Sequence, residues 1–236
     1  EVLGISGGAL AGVVLLVILA PAASYAALAG AGTLGALVTV GGLMWFTRRH
    51  GYAPERLLLA GVAVKALFDG VLGLVAASGV PFWTRLLNWV SGSTYGAGWD
   101  EVLGGLLAVV VVVPVVLALG RWLQLLGLGD EQARARGMLV ARARMVLLVL
   151  AAVATAVATL LIGPLSFVGL MAPHMALMLG LRRVGTQLAG ACGIGAGLMV
   201  LADWAGRTLL VPGEVPAGIA ASLIGGIYFM YLLRRL

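Results

Sequence analysis

Apolar residues in this chain fall in eight long runs, and most of the charges stand in the segments between them. The runs cover residues 7–23, 26–46, 57–77, 102–119, 145–162, 167–179, 188–210 and 219–233. About 20 apolar residues in helical form cross a bilayer, so the pattern predicts an all-α, polytopic transmembrane bundle of eight spans. The connecting segments are short, apart from two longer ones at 78–101 and 120–144.

The arginines orient this bundle. Arg48, Arg49 and Arg56 follow the second run, and Arg121, Arg134, Arg136, Arg142 and Arg144 the fourth. Arg182 and Arg183 follow the sixth, Arg234 and Arg235 the eighth; the opposite side keeps only Arg85 and Arg207. Basic residues accumulate on the cytoplasmic side of a membrane. The even-numbered loops and the C-terminus are therefore expected in the cytoplasm.

Composition removes other classes. Of 236 residues, 62% are hydrophobic and 10% charged, against roughly 25% charged in a soluble domain, and the mean hydropathy is +1.11. The net charge of +6 reflects the arginine asymmetry and does not point to a nucleic-acid partner. The 36 glycines suit helices that approach closely in lipid over small residues, with Gly4, Gly8 and Gly12 as one row and Gly193 and Gly197 as another. A single cysteine, Cys192, excludes a disulfide framework or a cysteine metal cluster. The one lysine, Lys65, is followed by Ala66, so the chain has no phosphate-binding loop of the G-x-x-x-x-G-K-[ST] kind. Any nucleotide-driven work must be done by another subunit, and no cofactor or metal is expected on this chain.

Residues 163–183, "GPLSFVGLMAPHMALMLGLRR", must cross the membrane if Arg182 and Arg183 are to be cytoplasmic, yet they include two prolines, a serine and a histidine. The sequence predicts a short, broken helix, since proline removes a backbone donor and disfavours helix in the residue before it. Irregular backbone at membrane depth is tolerated where protein or a wet cavity satisfies it. Such a break lines a transport path or serves as a packing kink, and the residues alone leave both open.

Other polar positions have paired readings. Lys65 and Asp69 share a helix face inside the third run; they either neutralise each other within the bundle or line a path as an ion or proton relay. Asp203 and Arg207 repeat the spacing near the outer end of the seventh run, with Glu214 nearby, and Arg207 either snorkels or meets a partner. His174 and Ser166 lack an identifiable acidic partner for nucleophilic chemistry. Segment 128–138, "LGDEQARARGM", is bracketed by glycines and could form two small helices or turns, with Asp130 and Glu131 placed to suit a helix N-terminus and Arg134 and Arg136 after them. It is either a dock for a partner or a solvated loop.

Several stretches, in order, resemble one family: the permease subunits of the ABC importers for iron-siderophore complexes and vitamin B12. They are "RLLLAGVA" (56–63), "WVSGSTYGAGW" (89–99), "LGDEQARARGM" (128–138), "GPLSFVGLMAPH" (163–174), "LADWAGR" (201–207) and "EVPAGI" (214–219). The wording is most similar to the ferric hydroxamate (ferrichrome-type) branch. The resemblance implies a type II ABC importer fold and a single permease domain over 1–236, with two further spans preceding residue 1 to make about ten per permease half. It implies that 120–144 is a cytoplasmic coupling loop, with Gly129, Asp130, Glu131, Ala133, Arg134 and Gly137 contacting an ATPase. Path candidates are Lys65, Asp69, Ser166, Pro173 and His174, and Arg85, Arg207 and Glu214 are candidates for contact with a periplasmic substrate-binding protein. The implied setting is the bacterial inner membrane. The implied partners are a second permease half, as a homodimer or fused repeat, two cytoplasmic ATPase subunits that hold ATP and magnesium, and membrane lipid. A proton- or ion-coupled secondary transporter using Lys65 and Asp69 is the competing reading.

Overall fold

A computed structural model describes residues 4–47, 54–77, 91–94, 97–165, 167–208 and 215–234. The described residues form helices and connections only. In chain order the helices are α1 (Ile5–Leu19), α2 (Tyr25–Thr47), α3 (Pro54–Ala77), α4 (Trp99–Ala118), α5 (Gly120–Gly127), α6 (Asp130–Ala135), α7 (Val140–Ile162), α8 (Val168–Met178), α9 (Val184–Thr208) and α10 (Ala217–Leu233).

Each of the eight apolar runs holds one helix. Five are long and apolar enough to cross a membrane, namely α2, α3, α4, α7 and α9, while α1, α8 and α10 are shorter apolar helices. Several helices begin ahead of their run. α3 starts at Pro54 and α7 at Val140, because a helix continues through charged residues such as Arg142 and Arg144 where hydropathy has already fallen. Proline at the first helical position costs α3 nothing, since that N–H has no intrahelical partner.

The chain forms two compact units. In the first, Glu1–Trp83 with Trp99–Leu161, α1 and α2 lie almost backbone to backbone. A Cβ added to Gly8 would stand 2.8 Å from the Gly35 carbonyl oxygen, and one added to Gly35 would stand 2.2 Å from that of Gly8. The glycine row expected on α1 is thus a helix contact, of the kind that replaces hydrophobic association in lipid. Its core is made of small side chains too: Ile5, Ala9, Ala36 and Val40 pack with Ala152 and Ala156 of α7. α3 rests on both α1 and α2.

The second unit, Thr84–Gly98 with Ile162–Leu236, packs α8, α9 and α10 together. The expected glycine row at Gly193 and Gly197 makes no such contact: a Cβ at either meets nothing within 4 Å. The break expected in residues 163–183 is present. It falls at Gly163–Leu165, around Pro164, whereas Pro173 sits inside α8. With 11 residues, α8 is about 16 Å long, roughly half the hydrocarbon thickness. Large apolar side chains such as Leu103, Leu106, Leu107 and Val110 of α4 are exposed, as helices facing lipid or a partner require.

Candidate functional site

The segment at 120–144 is not an open loop. α5 follows α4 after Leu119, α6 follows after Leu128 and Gly129, and α7 opens at Val140. Glycines set both ends of α6. Gly129 has φ 98° and ψ 157°, a region open essentially to glycine alone. At the other end Gly137 has φ 79°; its N–H donates to the Arg134 carbonyl at 2.9 Å and the Met138 N–H to the Ala133 carbonyl at 3.1 Å. These two bonds are the Schellman arrangement, which satisfies the last carbonyls of a helix and needs a left-handed residue. A Cβ at Gly129 or Gly137 would touch nothing, so both are required for conformation and not for space.

Between these glycines Ala133 is fully buried while Glu131 and Arg134 are exposed. Arg144 of α7 donates to the Asp130 carboxylate at 2.6 Å, with side chains only 19% and 32% exposed. The small helix is thus held by one buried alanine beneath it and one ion pair to α7, and presents a charged face outward.

In the second unit, four of the quoted stretches converge. The Gly218 N–H donates to the Gly92 carbonyl at 2.7 Å, and the Val215 N–H to the Gly206 carbonyl at 3.2 Å. A Cβ on Gly92 would lie 3.1 Å from the Pro164 carbonyl oxygen. The Thr94 hydroxyl donates to Asp203, whose other carboxylate oxygen accepts from Arg207 Nε at 2.9 Å. Residues 91–94, 163–165, the C-terminal end of α9 and the start of α10 therefore form one stitched cluster. Arg207 remains 45% exposed beside Asp203.

Below that cluster, Phe167 takes φ 67° and caps α8. A run of rings follows: Phe167 to Phe229 at 5.9 Å, Phe229 to Tyr228 at 5.8 Å, and Tyr228 to His174 at 6.2 Å. His174 Nε2 is buried without a hydrogen-bond partner among the described residues. Pro173 adjoins it within α8.

Lys65 Nζ and Asp69 pair at 2.8 Å, with side chains 43% and 57% exposed. They stand in the middle of α3 and point away from the unit's core. An exposed charge pair at mid-span cannot rest against acyl chains without a cost of roughly 2.5–3.5 kcal/mol per charge. Mutual pairing lowers that cost.

Arg85, Ser166 and Glu214 lie outside the described residues. Sequence reasoning missed Thr94 as the partner of Asp203 and Tyr228 as the neighbour of His174. Neither had a local signal, since each contact joins residues far apart in the chain.

The sequence profile of the FecCD transport family matches residues 1–235. The chain is 47% identical over its whole length to the iron(3+)-hydroxamate import system permease protein FhuB of Salmonella typhimurium, and covers 34% of that protein. It is 46% identical to the protein of the same name from Escherichia coli K12, covering 36% of it. The achromobactin transport system permease protein CbrC of Dickeya dadantii is 37% identical, with 68% of its length covered. The chain thus spans about a third of the length of these two FhuB proteins. Among solved structures, a transporter of the metal-chelate ABC type in an inward-facing conformation superposes with a TM-score of 0.87 at 24% identity, over all of this chain and 75% of that one.

Proposed function

The chain belongs to the FecCD transport family, and on that premise we propose that it is the membrane-embedded permease part of an ATP-driven importer that moves a ferric siderophore of hydroxamate type from periplasm to cytoplasm. The observation that carries this reading is the end-to-end identity of 47% to a hydroxamate import permease. The chain performs no covalent chemistry. ATP and its magnesium belong to two separate cytoplasmic subunits, a periplasmic binding protein delivers the chelate, and a second permease half completes the path in the inner membrane.

The geometry supplies parts for that task. α6, fixed in shape by Gly129 and Gly137, offers Glu131 and Arg134 to the ATPase. Asp130 ties it to α7 through Arg144, so a push on α6 is felt by a long helix and not absorbed by a slack loop. α7 leads in chain order to the break at Gly163–Leu165. ATP binding biases one orientation of the path only through contacts that differ between orientations, and the dock at α6 is where those contacts are made. At the outer surface, Arg207 is available to an acidic patch of the binding protein. Lys65 and Asp69 line the path or the face of the second half.

The test is uptake of radiolabelled ferric hydroxamate by cells in which the full-length protein replaces the resident permease. Uptake should persist with a protonophore while ATP is maintained, and should fall at least tenfold on Glu131→Lys with the protein still in the membrane. Uptake that collapses with the proton gradient and ignores Glu131→Lys would establish the secondary transporter instead.

A further inference from the structure

Where α5, the turn after α6 and the first turns of α7 meet, the first unit has a cleft of about 570 Å³, within the roughly 300–1,000 Å³ range of ligand sites. Three arginines line it, Arg121, Arg136 and Arg142, and no acidic residue does. No ion pair among the described residues engages any of the three. The remainder of the wall is apolar, with Trp122, Leu125 and Val146 among its residues. α5 itself, "GRWLQLLG", is a short amphipathic helix with tryptophan and leucines on one face, the composition of helices that lie in a membrane interface. The cleft stands at the C-terminal end of one apolar span, α4, and the N-terminal end of another, α7.

We infer that this cleft holds the headgroup of an anionic phospholipid from the adjoining leaflet. Convergent guanidiniums without a carboxylate need an anion, and phosphate oxygens match their fork of donors. Apolar walls at the membrane edge need acyl chains, and a tryptophan at headgroup level is the usual companion of such a boundary. Basic pockets at the ends of membrane helices bind acidic headgroups for these reasons. A soluble anion would satisfy the arginines but leave Leu125 and Val146 wet; a protein partner would need an acidic, greasy segment at membrane depth. A lipid supplies both halves at once. The site requires that α4 and α7 enter the bilayer beside it, and it shares the turn at Gly137 with the proposed ATPase dock.

The full-length protein, purified in mild detergent with its co-purifying subunits, should be titrated with phosphatidylglycerol, phosphatidylcholine and free glycerol phosphate, and bound lipid counted by native mass spectrometry. The expected result is about one phosphatidylglycerol per chain, bound at least tenfold more tightly than phosphatidylcholine, and no binding of glycerol phosphate at the same concentration. Arg121→Gln with Arg142→Gln should weaken it about thirtyfold, given that each arginine near an anionic surface contributes about a fivefold factor. Arg182→Gln with Arg183→Gln removes the same charge elsewhere and should leave binding unchanged. Equal loss in both double variants, equal affinity for phosphatidylcholine, binding of glycerol phosphate alone, or absence of the lipid whenever the other subunits are bound would each overturn the proposal.

Discussion

A Cβ on Gly225 would sit 2.5 Å from that of Phe167 and 3.1 Å from the Met171 sulfur. The backbone of Phe167 is already in a region that L side chains rarely adopt, so it has little room to yield. Gly225→Val should therefore lower the midpoint of thermal unfolding by several degrees, on the order of 1–3 kcal/mol of overpacking, and adding Phe167→Gly, which removes the opposing Cβ, should restore part of the loss. Equal melting of the single and double variants would show that the contact is not limiting. The glycines around α6 make a finer distinction. Asparagine tolerates the left-handed region of Gly137 but not the extended positive-φ region of Gly129. Gly137→Asn should keep most transport, whereas Gly129→Asn should lose stability by about 1–3 kcal/mol and transport with it; a reversed order would refute the assignment. Both glycines were visible in the sequence as brackets of a polar stretch. That they serve conformation rather than close packing was not, because the letter G records permission and not which permission is used.

Among the elements, the ion pair between α6 and α7 is the one most open to measurement. In a double-mutant cycle with Asp130→Asn and Arg144→Gln, the coupling energy should be about 1 kcal/mol, above the usual exposed pair because both groups are partly buried. Zero coupling would mean that this ion pair does not hold α6. The Lys65–Asp69 pair predicts asymmetry: Lys65→Met or Asp69→Leu alone strands a charge at mid-span and should reduce membrane-inserted protein, while the double variant should insert at least as well as the original. Element positions were legible because eight apolar runs each need a helix. Their starts were not, since hydropathy falls at Arg142 and Arg144 while backbone hydrogen bonding runs on through them. Pro173 is carried inside α8 at the loss of one backbone hydrogen bond, while the break in residues 163–183 falls at Gly163–Leu165. Segment 120–144 was read as a docking loop that might fold locally, and it does fold, as α5, α6 and the start of α7.

For the whole molecule, the arginine asymmetry makes a topology prediction that needs no knowledge of cargo. In a background with Cys192→Ser, a cysteine at Thr208 should react with a membrane-impermeant maleimide in intact spheroplasts, and a cysteine at Glu131 only after permeabilisation. The opposite pattern would invert the bundle and remove the dock from the ATPase side. What sequence could not supply at this scale is convergence. Residues 91–94, 163–165, 206 and 215–218 were each noticed as separate stretches, but the bonds and the close backbone approach that join them span most of the second unit, and no periodicity reports them.

The charged couple on the outward side of α3 has a consequence for biosynthesis. On the proposed reading in which the second permease half covers this face, a half inserted without its companion would leave that couple against acyl chains, and removal by membrane proteases is the expected outcome. Making both halves as one polypeptide would guarantee that the covering surface is always at hand, and steady-state abundance of an orphaned half should be governed by degradation rather than by translation.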